Sequence, residues 1–155
     1  MTTGAWIVLA AIALALGFGS WRLATDGRFR GTHVVRRQVE AVTHVETADE
    51  AGTPPGAELV AAVGGRLGER ATLLQFSSAF CAPCRATRRV LGEVTDLVEG
   101  VAHVEVDAEQ HLDATRLFNI LRTPTTVVLD ASGAEVTRAT GAPSKAQVLA
   151  AVGLV

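Results

Sequence analysis

Two residues in this chain have both the type and the spacing for chemistry: Cys81 and Cys84, in the run Cys81-Ala82-Pro83-Cys84. Thiols with two residues between them can form and break a disulfide, so the chemistry they point to is thiol–disulfide exchange. They are the only two cysteines among 155 residues, so neither belongs to a framework of structural disulfides. The element that must position them is a helix start. Residues 72–76 (TLLQF) read as a short buried strand, and from Cys81 onward Val90, Leu91, Val94, Leu97 and Val98 share one helical face. A helix N-terminus offers unpaired N–H groups and partial positive charge, and both stabilise a thiolate. Cys81, at the start with its sulfur toward solvent, is the expected nucleophile. Cys84, about one turn later, is placed to attack a mixed disulfide and release the product. Pro83 is tolerated because a first-turn N–H has no intrahelical partner.

Other readings of the pair are weaker. Half of a zinc site needs two further ligands; no second CxxC exists, and His33, His44, His103 and His111 lack a close paired spacing. No metal is therefore expected. Two incidental cysteines would not account for a proline between them at a helix start.

Further along, residues 101–106 (VAHVEV) read as a strand, 111–120 as a helix and 125–129 (TTVVL) as a strand. Residues 130–133 (DASG) make a tight turn, 135–139 the returning strand, and 144–152 a last helix with Ser144 as its N-cap. Strands alternating with helices and ending in a hairpin predict an α/β domain with a mixed sheet flanked by helices.

Phe76-Ser77-Ser78-Ala79-Phe80-Cys81-Ala82-Pro83-Cys84-Arg85, then Val104-Glu105-Val106-Asp107, then Leu121-Arg122-Thr123-Pro124-Thr125 occur in the order and at the separations of the thioredoxin family, and over residues 56–155 the chain resembles that family. The resemblance implies a thioredoxin-like fold, protein-disulfide oxidoreductase activity, and no cofactor beyond a redox-active Cys81–Cys84 disulfide. It implies a cis Thr123–Pro124 peptide facing the sulfurs, with Thr123 offering backbone hydrogen bonds to an extended substrate. Phe80, Ala82, Pro83 and Gly141 complete the implied substrate-binding set. Departures are informative too: Phe80 replaces a tryptophan, Ala82 a glycine, and Arg89 a helix-kinking proline. Gln75 stands where the family has a buried aspartate, and glutamine cannot take a proton. His103 stands near the place of the lysine that partners that aspartate. The pattern implies a specialised member rather than a general reductase.

The N-terminus sets a second expectation. Residues 4–21 (GAWIVLAAIALALGFGSW) carry no charge and span roughly 27 Å as a helix, with Trp6 and Trp21 at the ends, so they read as one transmembrane helix. A cleaved signal peptide would want a basic start and a small-residue cleavage site, and neither is present. Arg22, Arg28, Arg30, Arg36 and Arg37 follow the run, with Asp26 nearby, which predicts a single-pass cell-membrane protein whose domain is cytoplasmic, the outer face being the alternative. Residues 22–55 read as a juxtamembrane tether, within which 33–45 has an ambiguous period. Expected partners are protein disulfides or dithiols, the bilayer, and a membrane client or recycling reductase. An outer-face domain would suit thiol reduction in cytochrome or metalloprotein assembly, and a scaffold role in interaction or metal delivery is the non-catalytic alternative. A net charge of −2 with dispersed basic residues gives no nucleic-acid footprint.

Overall fold

The computed structural model describes residues 3–25, 27–31 and 53–155. In chain order the elements are α1 (Thr3–Thr25), β1 (Phe29–Gly31), α2 (Pro55–Ala62), β2 (Ala71–Ser77), α3 (Ala82–Thr95), β3 (Val101–Asp107), α4 (Leu112–Leu117), β4 (Thr125–Asp130), β5 (Glu135–Thr140) and α5 (Lys145–Val152). The strands form one sheet in the order β1-β5-β4-β2-β3. β2 runs parallel to β3 and antiparallel to β4, and β5 is antiparallel to both β4 and β1.

β2 is buried along its whole length, which is why its sequence reads as a continuous apolar run rather than an alternating one. Leu74 and Phe76 face one layer, with Leu59 and Val60 of α2, Phe118 and Ile120. Ala71 and Leu73 face the other, with Leu91 and Val94 of α3 and Val148, Ala151 and Val152 of α5. Gln75 and Ser77, at the next alternate positions, share the α3 side. The strand thus delivers the chain to Cys81 at one end and two polar side chains beneath α3. Ser144 caps α5 in a reciprocal pair with Gln147, as its sequence position predicts.

Two elements depart from the sequence reading. Phe29–Gly31, inside the stretch read as a tether, pairs with β5, in the register Phe29 to Ala139 and Gly31 to Thr137. α2 begins in the breaker-rich run 51–56, with Pro55 at a first-turn position where proline is accepted. Residues 33–45 lie outside the described ones.

The membrane expectation is corrected. Among the described residues no helix is long and apolar enough to cross a membrane. This overturns the cell-membrane, single-pass localisation drawn from residues 4–21 and the orientation drawn from the flanking arginines. α1 has 23 residues, but its purely aliphatic part, residues 7–16, covers only about 15 Å of a hydrocarbon core of about 30 Å, and Gly17, Gly19 and Ser20 follow it.

Candidate active site

Cys81 and Cys84 are joined as a disulfide, with Sγ–Sγ 2.04 Å and Cα–Cα 5.2 Å. Cys81 is the N-cap of α3, and the Cys84 backbone N–H donates to Cys81 Sγ at 3.1 Å. The amide therefore points at the place where a Cys81 thiolate would carry its charge, at the positive end of the helix. Cys81 is half-buried, whereas Cys84 is only 2% exposed. Burial disfavours a charged sulfur, so the two thiols are electrostatically unequal by position alone.

Beneath Cys84 lies Gln75, fully buried, whose Nε2 donates to the Cys84 carbonyl at 3.0 Å. Its Oε1 faces His103 Nε2 at 3.1 Å. Because the amide nitrogen is committed to Cys84, Oε1 can only accept, so His103 Nε2 carries the proton. Burial pushes the His103 pKa down; Glu105 opposes that and Arg88 reinforces it, and the net shift is downward. Gln75 and His103, the two departures noted in the sequence, are thus hydrogen-bonded to each other and, through Gln75, to the first turn of α3.

A second polar group lies alongside. Ser77 Oγ and Arg88 Nη2 both donate to Glu105 Oε1, each at 2.6 Å. Burial raises the Glu105 pKa, but the hydrogen bonds from Arg88 and Ser77 and the charges of Arg88 and His103 outweigh it, and its carboxyl is held below the usual range. These residues line an open cleft of about 410 Å³ that also reaches Cys81, Cys84 and Arg85. Among the described residues, no three His, Cys, Asp or Glu side chains gather to hold a metal.

The proline loop has the cis Thr123–Pro124 peptide that the resemblance implied. Thr123 Oγ1 lies 3.2 Å from Ser78 Oγ, tying the loop to the segment that leads into Cys81. Pro124 is buried, and its carbonyl accepts from the Gly141 N–H at 2.8 Å. Gly141 has φ 94°, a conformation that disfavours any side chain there. Phe80 is 98% exposed beside Cys81, and Ala82 and Pro83 are exposed on the first turn of α3.

The Ser77–Glu105–Arg88 group was not singled out by sequence reasoning. The available signal is in residues 101–107: His103 and Glu105 alternate onto one face of a strand, an odd place for two titratable groups unless polar partners meet them there. The partners depend on the parallel register that sets Gln75 beside Glu105.

With this geometry in view, the comparisons with known proteins are specific. A family model described as a thioredoxin-like domain matches residues 62–155. A thioredoxin of Mycoplasma genitalium is 30% identical over 77 residues, 50% of this chain and 74% of the relative. Among solved structures, oxidised mitochondrial thioredoxin 3 of Saccharomyces cerevisiae superposes with a TM-score of 0.52 at 16% identity, covering 64% of this chain and 89% of that one. Reduced Schistosoma mansoni thioredoxin gives 0.51 at 21% identity, covering 62% and 88%. At these identities the structural matches speak for the fold.

Proposed function

The chain belongs to the thioredoxin-like family and is a thiol–disulfide oxidoreductase, and on that premise we propose that Cys81 and Cys84 are its catalytic dithiol and that protein disulfides are its substrates. The observation that carries the assignment of roles is the Cys84 N–H on Cys81 Sγ at the start of α3.

In the reduced protein, the Cys81 thiolate attacks one sulfur of a substrate disulfide. A Cys81–substrate disulfide forms, and the other substrate sulfur leaves as a thiolate that takes up a proton. Cys84, once deprotonated, attacks Cys81 Sγ, forming the intramolecular disulfide and releasing the second substrate thiol. The protein loses two electrons and the substrate gains them. Run backward, the same steps oxidise a dithiol; direction follows the relative reduction potentials. Thr123 supplies backbone hydrogen bonds to an extended substrate segment, with Pro124 and Gly141 shaping that side. Phe80, Ala82 and Pro83 form the exposed rim around Cys81. The working unit is residues 56–155 completed by β1, and a recycling reductase returns the disulfide to the dithiol.

Replacing Cys84 with Ser removes the resolving step and leaves Cys81 to accumulate in mixed disulfides. Non-reducing electrophoresis of the purified variant with oxidised insulin should show a covalent adduct that dithiothreitol releases. A Cys84→Ser protein that forms no adduct, while a Cys81→Ser protein does, would reverse the two roles.

A further inference from the structure

We infer that the Thr87 hydroxyl is the hydrogen-bond donor that steadies the Cys84 thiolate while it resolves the mixed disulfide. The inference rests on the oxidoreductase reading and adds a residue to the machinery proposed for it.

Cys84, Thr87, Leu91 and Val94 form the buried seam of α3. Thr87 is fully buried, and its Oγ1 has no hydrogen-bond partner among the described residues. A helical threonine ordinarily returns its hydroxyl to a carbonyl three or four positions back. Thr95 does so to the Gly92 carbonyl at 2.8 Å, and Thr115 to the His111 carbonyl at 2.9 Å. For Thr87 the carbonyl three back is that of Cys84, and Gln75 Nε2 occupies it at 3.0 Å. The helix uses the other lone pair of that oxygen. Gln75 therefore keeps the Thr87 hydroxyl from its usual acceptor, in a place where an unmet donor is costly.

Helical side chains lean toward the N-terminus, and positions three apart share a face, so Thr87 leans over the turn that carries Cys84. A disulfide sulfur is a weak acceptor, whereas a thiolate is a strong one. The acceptor that this hydroxyl fits thus exists only after reduction. Thr126 Oγ1 is equally buried and unpartnered among the described residues, but it stands on β4, across from Gln75, and not on the seam with Cys84. The charged and titratable groups around Cys84 are Cys81, Arg85, Arg88, Glu105 and Asp107, which line the same cleft, and His103 behind Gln75. β2 carries no charge, Asp130 of β4 lies at the far end beside Ala71, and Lys145 of α5 is paired with Glu93 further along α3. None of these is altered by a change at Thr87, so its hydroxyl can be tested by itself.

In the resolving step the Cys84 thiol gives its proton to solvent, and the thiolate attacks Cys81 Sγ. The Cys84–Cys81 bond forms, the Cys81–substrate bond breaks, and the departing substrate thiolate takes up a proton. The Thr87 O–H keeps its own proton throughout. It donates a hydrogen bond to the charged Cys84 sulfur and loses that bond when the disulfide closes.

The test uses the full chain, reduced with dithiothreitol and freed of it, then mixed with dithiodipyridine in a stopped-flow spectrometer. The first thiopyridone released reports attack by Cys81, and the second its displacement by Cys84; a large excess of reagent makes the first phase the faster. Without the donor, the Cys84 thiol should ionise about tenfold less at a given pH, while each thiolate formed is about threefold more nucleophilic. The second phase of Thr87→Val should therefore be about threefold slower than that of the unchanged chain in acid and at neutrality. The deficit should close as pH rises and the thiol ionises in both proteins, and the first phase should stay unchanged. Thr87→Ser, which restores a hydroxyl, should recover the rate, and Thr126→Val should not alter it. The oxidised Thr87→Val chain should unfold at a urea midpoint no lower than that of the unchanged chain, because the hydroxyl has no partner among the described residues in that state. A lower midpoint would mean that the hydroxyl already holds a partner there, and would overturn the inference. Second phases of equal rate at every pH, in a chain that reduces insulin, would overturn the donor alone, as would a loss confined to Thr126→Val. A chain that releases no thiopyridone and reduces no insulin would overturn the oxidoreductase reading and the donor together.

Discussion

The polar pair beneath Cys84 makes an asymmetric prediction. Changing His103 to Leu strands Gln75 Oε1 at a residue with no exposed surface. A buried acceptor left without its donor costs about 1–3 kcal/mol. Changing Gln75 to Leu costs less, because His103 is only half-buried and its ring can turn to water, while the Cys84 carbonyl loses one donor at about 1 kcal/mol. Replacing both removes donor and acceptor together, which is close to neutral in a packed interior. The double variant should therefore be more stable than His103→Leu alone, with a coupling of about 1 kcal/mol or more against additivity. Urea unfolding of the oxidised full chain is the assay. Far-UV circular dichroism is the right signal, since both tryptophans, Trp6 and Trp21, lie in α1 and report nothing on the sheet. With a urea slope of about 1–3 kcal/mol per molar, the His103→Leu midpoint should fall by about 1 M and the double variant should recover most of it. Strictly additive costs would refute the hydrogen bond as described.

Other consequences are simpler. Leu91, fully buried between α3 and the sheet, should cost about 2–5 kcal/mol when changed to Ala, read from the same urea midpoints. Ser144→Ala removes half of a capping box and should cost about 1 kcal/mol, with Gln147→Ala adding little once Ser144 is gone. The folded state holds the Glu105 carboxyl below its ordinary pKa, so its contribution is present above about pH 4.5 and is lost as pH falls through the folded value. Arg88→Gln removes the main opposing charge, so acid titration of stability should flatten between about pH 5 and 3 in that variant.

Much of the domain was legible because it follows local rules. β2, β3, β4, β5 and α5 fall within a residue or two of the positions their patterns predict, and the CxxC marks the start of α3. α4 is shorter than residues 111–120, since Phe118 and Ile120 turn inward to pack on Phe76 and the sheet. Leu97, assigned to the inner face of α3, lies beyond the helix and is exposed. Three-residue β1 carries no period, and its place is set by a partner more than a hundred positions away. α2 was hidden because prolines read as breakers, although a first turn admits them. Gln75 and His103 were visible as departures from a family pattern; the Ser77–Glu105–Arg88 group exists only through the register of β2 on β3. The apolar N-terminal run illustrates the opposite error: an uncharged stretch with tryptophans at its ends was read as a membrane span, and among the described residues no helix is long and apolar enough for one.

The attachment of β1 also determines how force enters the domain. The Gly27 N–H donates to the Thr140 carbonyl at 2.9 Å, and a Cβ on Gly27 would strike the Ala142 carbonyl, so the chain is clasped where β5 ends. Thr140 is followed by Gly141, whose own N–H holds Pro124. A pull on the chain before Gly27 is thus delivered one residue from the proline loop, and a pull on Val155 reaches the same Gly141 through α5 and the short link of residues 142–144. Whichever terminus immobilises the molecule, the load arrives next to the loop proposed to grip substrate.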